Sequence, residues 1–116
     1  MAVRRIVPNI HAEDLEAARR FYGEILDMEI VMDHGWIVTF ATDRPTTPQI
    51  SVASEGGSGT PVPDLSIEVD DLDEAYRRVR DARLTVEYGP AAEPWGVRRF
   101  YVRDPFGRLV NVLAHD

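Results

Sequence analysis

The chain has 116 residues with 20 acidic against 13 basic side chains, and its net charge of −7 disfavours nucleic acid and anionic membranes, which both need clustered basic charge. It has no cysteine, which excludes disulfides, thiolate metal sites and a cysteine nucleophile, and no lysine, which excludes Schiff-base chemistry and a P-loop. At 44% hydrophobic and 28% charged residues it reads as one globular domain; no apolar run reaches membrane-spanning length and no signal-peptide core opens it, so a cytoplasmic protein is expected.

From the N-terminus, Val3–Ile10 alternates as a strand. An Asp N-cap then opens a helix in "EDLEAARRFYGEILDMEIV". Leu15, Ala18, Tyr22, Ile25 and Leu26 recur there at helical spacing, with Phe21 alongside, and predict one core-facing stripe. Strands are expected over Met28–Met32, Trp36–Ala41 and Gln49–Ala53, with "DHG" as a hairpin turn and "TDRPTTP" as a longer connection. "SEGGSGTPVP" has the composition of a flexible linker. A second series follows: a strand over Leu65–Val69, a helix with Leu72, Ala75, Tyr76 and Val79 on one face, and strands over Thr85–Tyr88, Arg98–Val102 and Leu109–Leu113. "DPFG" is the turn between the last two.

The chain therefore repeats the order β-α-β-β-β. Aligning Asp14 with Asp71, an offset of 57 residues, also matches Leu15 with Leu72, Ala18 with Ala75 and Arg20 with Arg77. This predicts a duplicated module: module one over 1–53, a linker over 54–63 and module two over 64–116, together one domain.

Strand parity separates two faces. Ile6 and Ile10 oppose Val7 and Asn9; Ile50 and Val52 oppose Gln49 and Ser51; Leu65, Ile67 and Val69 oppose Asp64, Ser66 and Glu68. Phe100 and Val102 oppose Arg99 and Tyr101, and Val110 and Val112 oppose Leu109, Asn111 and Leu113. One face is apolar and suits the helices. The other mixes amides, hydroxyls, carboxylates, Arg and Tyr with Val7, Leu109 and Leu113. A one-sided sheet facing water accounts for the polar members; the apolar ones beside them suit a ligand cup.

The combination of "DLEAARRFYGEILDMEI", "IEVDDLDEAYRRV" and "PWGVRRFYVRDPFGRLVNV" resembles the vicinal oxygen chelate superfamily over essentially the whole chain. That group includes glyoxalases, bleomycin-resistance proteins, fosfomycin-resistance enzymes and extradiol dioxygenases. The resemblance implies an α+β fold of two tandem βαβββ modules. Their mixed sheet would curl into a cup with the helices outside, commonly within a homodimer.

In metal-using members four positions on the inner face hold His or Glu. Motif spacing places them here at Val7, at Ser51 with Gln49 beside it, at Asp64 and at Asn111. This set is not a divalent-metal site, because zinc and nickel want imidazole, thiolate and carboxylate and manganese wants several oxygens. Asp64 is the one good ligand, Glu68 would have to help from one register along, and His11 and His34 suit solvent at a strand end and in a turn. No metal and no cofactor is expected.

The resemblance then implies a metal-free protein that binds a small molecule, as the bleomycin-resistance proteins do, sequestering a cationic antibiotic or metabolite in a dimer cleft. The ligand-binding residues expected are Val7, Asn9, Gln49, Ser51, Asp64, Ser66, Trp95, Arg99, Tyr101 and Asn111. Trp95 suits either stacking on a flat ligand or plugging the modules together, and Trp36 has the same two roles open to it. The alternative is a lyase- or isomerase-type enzyme with Asp64 or Glu68 as general base and Arg99 or Tyr101 steadying an oxyanion. A metabolite-sensing module is the third reading. Expected partners are a small molecule and a second copy of the chain, with no nucleic acid and no membrane.

Overall fold

Two aspartates start the two helices. The carboxylate of Asp14 accepts the Ala17 N–H at 3.1 Å and that of Asp71 accepts the Glu74 N–H at 3.0 Å, so each satisfies an amide that the first turn leaves open. In the computed structural model, which describes residues 1–43 and 48–116, the order is βαβββ followed by βαβββ, as the sequence predicts. Residues 44–47 of the predicted "TDRPTTP" connection lie outside the described residues. The chain divides into two compact units, residues 7–62 and residues 1–6 with 63–116.

In the unit of residues 7–62 the strand order is β2-β3-β4-β1. Here β1 is Val3–His11, β2 Glu29–Asp33, β3 Ile37–Ala41 and β4 Gln49–Ala53. β1 and β4 run parallel with Asn9 opposite Ser51; the other pairs are antiparallel. "DHG" makes the β2–β3 turn: Gly35 has φ +83° and donates its N–H to the Asp33 carboxylate at 2.9 Å. Val38, Phe40 and Val52 are buried with Ala18, and Leu15, Tyr22, Met28 and Ile50 pack against them. Among the described residues no β1 side chain belongs to that core, and Ile6 and Ile10, read from parity as helix-facing, are 57% and 41% exposed. The helix covers β3 and β4 instead.

The first helix departs from its predicted stripe. It is α-helical only over α1 (Leu15–Ala18) and continues as a π-helix over Arg19–Ile25, closing with Leu26 N–H on the Phe21 carbonyl five residues back. A π-turn holds more residues than an α-turn, so side chains beyond Ala18 leave the 3.6-residue stripe. Tyr22 still reaches Phe40, with ring centroids 5.5 Å apart, but Ile25 is 70% exposed. The "SEGGSGTPVP" stretch forms a hydrogen-bonded turn where a flexible linker was expected. Gly56 N–H bonds to Thr60 O at 2.8 Å, and the buried Thr60 hydroxyl donates to Gly57 O at 2.7 Å. Its Gly-Ser-Gly run supplies the left-handed backbone of Gly57, Ser58 and Gly59.

In the other unit the order is β1-β5-β8-β7-β6, with β1 entering through Ile6. β5 is Leu65–Val69, β6 Val86–Ala92, β7 Val97–Arg103 and β8 Leu109–His115. β5 and β8 are parallel, β8–β7 and β7–β6 antiparallel. Helix α2 (Leu72–Asp81) lays Leu72 and Ala75 on Val69, Phe100, Val102 and Val110, with Ile67, Tyr76 and Val79 around them. These are the apolar-parity residues of β5, β7 and β8, so the helix takes the face that alternation assigned to it. "DPFG" is the β7–β8 turn, in which Asp104 accepts the N–H groups of Phe106 and Arg108 and Gly107 has φ +83°.

On the outer face of α2, Arg77 and Arg78 bond the Glu74 carboxylate and hold its pKa at about 2, below the ordinary 4.5. A carboxylate depressed in the folded state stabilises fully above its unfolded pKa and loses that contribution as pH falls through the folded one. Glu74→Gln is therefore expected to melt below the parent near neutral pH, with the gap closing as pH falls from 4.5 toward about 2. Circular-dichroism melts across that window check it; a gap independent of pH would assign the loss to something other than the ion pair.

Candidate functional site

The polar-parity residues of β5, β8 and β7 come together in one row. Ser66 pairs with Asn111 and Asn111 with Tyr101, and β6 continues the row with Tyr88 opposite Tyr101. One step along, Arg99 lies opposite Leu113 on one side and Ala91 on the other. Asn111 Nδ2 donates to Ser66 Oγ at 3.1 Å. The Asn111, Tyr101 and Arg99 side chains are buried, where a face open to water was the bland expectation.

Arg99 is the electrostatic centre of this face. Its Nη2 meets Glu93 Oε2 at 2.9 Å and its Nη1 donates to the Tyr101 hydroxyl at 3.0 Å. The guanidinium carbon is 5.0 Å from the ring centroids of Trp95 and Tyr101 and 5.3 Å from that of Tyr88. Tyr88 in turn donates its hydroxyl to Glu93 Oε1 at 2.8 Å. Both side chains of the pair are nearly sealed, at 4% and 3% exposure. Trp95 therefore stands against a cation inside the chain's own unit.

Two local devices build this arrangement. "EPWG" is a tight turn closed by Gly96 N–H on Glu93 O at 3.1 Å, with Pro in its second place and Gly96 at φ +92°. It delivers Glu93 and Trp95 to the start of β7. In β6 the register slips between Tyr88 and Ala91, a bulge that sets Gly89 and Pro90 against β7. Gly89 has φ +81°, and a Cβ there would come within 2.5 Å of the Arg99 carbonyl. Only glycine lets Tyr88 and Ala91 flank Arg99 at this approach.

The two carboxylates considered as bases have other engagements. Asp64 accepts the Leu109 N–H at 2.9 Å, and the Leu109 carbonyl accepts the Asp64 N–H at 2.8 Å, so the side chain reinforces the start of β8. Glu68 bridges Arg5 Nε at 3.1 Å and His115 Nδ1 at 3.1 Å. In the unit of residues 7–62, Val7 and Ser51 are buried and Asn9 and Gln49 half-buried. Asn9 pairs with Ser51 in register, and the Ser51 hydroxyl shares a hydrogen bond of 2.7 Å with that of Thr39. His11 and His34 are exposed, and the His34 ring stacks on Trp36 at 6.1 Å between centroids.

Sequence reasoning missed Glu93, Tyr88, Thr39 and His115. Glu93 carried one usable signal: it is the only charged residue in "GPAAEPWGV". The other three look like ordinary strand residues until the register is known. The residues that motif spacing assigned to metal-ligand positions are Val7 and Ser51 in one unit and Asp64 and Asn111 in the other, and the Asp64 carboxylate is already on a backbone amide. The donor set does not fit a divalent ion. Among the described residues no three His, Asp or Glu side chains stand together as a group that could hold a metal.

A family model described as Glyoxalase/Bleomycin resistance protein/Dioxygenase superfamily matches residues 5–112, and the chain belongs to that superfamily. No curated protein matches it. Among solved structures it resembles one titled NAD-dependent benzaldehyde dehydrogenase from Legionella pneumophila (16% identity, 97% of this chain and 100% of that one, TM-score 0.76). A superfamily member from Vibrio splendidus 12B01 is similar at 17% identity over 99% and 100% of the two chains, TM-score 0.68. Methylmalonyl-CoA epimerase from Mycobacterium tuberculosis is similar at 20% identity over 98% and 87%, TM-score 0.63. At these identities the likeness is one of fold.

Removing one member of a buried ion pair strands the other, at a cost of about 3–5 kcal/mol, whereas replacing both with apolar groups of similar size is far milder. Glu93→Gln and Arg99→Met are each expected to lower stability by an amount of that order, and the double variant by much less than their sum. Urea midpoints read this double-mutant cycle; strict additivity would mean that the two charges do not act as a pair.

Proposed function

We propose that this protein binds a small organic molecule through the Ser66–Asn111–Tyr101 row, without a metal and without turning the ligand over. The observation that carries this reading is the row itself. Adjacent strands align a hydroxyl, an amide and a phenol between apolar Leu109 and Leu113, the mixture by which binding sites orient an apolar ligand. Asp64 holds a backbone amide and Glu68 is engaged by Arg5 and His115, which speaks against either as general base. Of the other predicted contacts, Trp95 and Arg99 stay in the proposal as side chains that support this row, while Val7, Asn9, Gln49 and Ser51 lie in the unit of residues 7–62 and are proposed as ligand-facing side chains of that unit.

The protein acts as a homodimer in this reading. Ile6, Ile25 and Val31 are more than half exposed in the single chain, apolar surface that a second copy would cover. A location in the cytoplasm goes with it. Among the described residues no helix is long and apolar enough to cross a membrane.

Light scattering is expected to give twice the chain mass at micromolar concentration, and a clean monomer would remove the dimer. Native mass spectrometry of freshly purified protein should show a bound small molecule that Asn111→Leu and Tyr101→Phe together release. Prolonged incubation should return that molecule unchanged. A product that forms with the parent and not with Glu68→Gln would overturn the binding reading in favour of acid–base catalysis.

A further inference from the structure

We infer that the ligand of this row presents a neutral hydrogen-bond donor, an amide or lactam N–H or a hydroxyl, to Oδ1 of Asn111; the inference rests on the binding reading above. Asn111 is 7% exposed. Its Nδ2 is used on Ser66 Oγ, while Oδ1 is buried without a partner among the described residues. A buried amide oxygen that has lost water and gained no donor is costly, and such groups are rare in folded proteins unless water, an ion or a ligand meets them.

Among the described residues no neighbouring group donates to Oδ1. Leu109 and Leu113 are the neighbours of Asn111 on its own face of β8. Across the ladder the Tyr101 hydroxyl accepts from Arg99 Nη1, on the other side Ser66 Oγ accepts from Nδ2, and neither hydroxyl donates to Oδ1. The bond to Ser66 holds the amide on one flank, and strand register sets Tyr101 on the other. A donor that satisfies it has to be brought in.

The charges on this face select a neutral donor over an ammonium. Arg99 is paired with Glu93, Glu68 with Arg5 and His115, and Asp64 bonds a backbone amide and lies 4.0 Å from Arg108. A cation buried beside Asn111 would find each carboxylate already engaged, and an uncompensated buried charge costs far more than a buried dipole. This departs from the cationic ligand that the net charge suggested. Turning the amide over would make Nδ2 the open atom, because a serine hydroxyl serves as donor or acceptor, and the ligand would then present an acceptor.

The test uses the full chain, uniformly labelled with nitrogen-15, and three probes: δ-valerolactam, its N-methyl derivative, and benzylammonium. The lactam is expected to shift the backbone amides of Ser66, Tyr101 and Asn111 and the Asn111 side-chain amide in a saturable way. The N-methyl derivative, which keeps the carbonyl and loses the donor, should bind roughly tenfold or more weakly, as should the lactam to Asn111→Leu. Equal binding of the two lactams would mean that the amide faces an acceptor, and tighter binding of benzylammonium that the site takes a cation. Either result overturns the neutral-donor inference and leaves the binding reading standing. A row that none of the probes moves also overturns it. If native mass spectrometry then finds no bound molecule, the binding reading falls as well.

Discussion

A guanidinium enclosed by its own unit governs the construction around it. Taking an ion out of water costs several kcal/mol even after relaxation, so the structure has to return hydrogen bonds and opposite charge at close range. Glu93 supplies the charge, Tyr101 an oxygen, and three aromatic rings the low-cost apolar contact that a flat, weakly hydrated cation accepts. The Gly89 bulge and the "EPWG" turn make sense against this requirement. Each would weaken a plain hairpin, and together they bring Tyr88, Glu93 and Trp95 to Arg99. Phe100, one residue on, points to the opposite face and anchors the helix-side core. Adjacent residues of β7 thus tie the apolar core to the polar row.

The two modules share an order of elements and differ in how the helix is used. α2 is a regular helix whose predicted stripe is its buried face. Its counterpart widens into a π-helix after one turn and leaves Ile25 and Leu26 in solvent. Duplication of a pattern does not oblige both copies to bury the same positions. The packing partner decides, and in the first module the helix covers β3 and β4 while β1 keeps its isoleucines outside.

Membership of the superfamily settles the fold and leaves the chemistry to the site, since one scaffold carries metal enzymes, isomerases and binding proteins alike. At the positions that motif spacing assigned to metal ligands, the chain carries a valine, a serine, an aspartate turned to a backbone amide, and an asparagine. An amide in a buried strand position is poor at accepting protons or holding metals and good at reading the hydrogen-bonding pattern of a neutral group. Glu68, the other carboxylate on that face, is drawn toward Arg5 and His115 and ties β1, β5 and β8 at their side chains.

The order of elements, the Asp caps, both glycine turns and the split of β5, β7 and β8 into two faces were legible in the sequence because each depends on contacts within a few residues. Asn111 stood out for the same reason: a polar residue between Val110 and Val112 must face away from the helices. The long reach of β6 was not legible, since Gly89-Pro90 reads as a strand breaker and serves here as a bulge. Nor was the turn inside "SEGGSGTPVP", whose composition is that of a tether and whose Thr60 bonds are specific to one backbone path. The site beyond Asn111 required tertiary structure. Whether Arg99 meets water or Glu93, whether Asp64 is a base or a strand clasp, and whether Oδ1 of Asn111 has a partner are all set by strand register and burial. The sequence by itself determined which residues share a face; only the tertiary structure decided what each of them touches, because register sums interactions between segments that alternation describes one at a time.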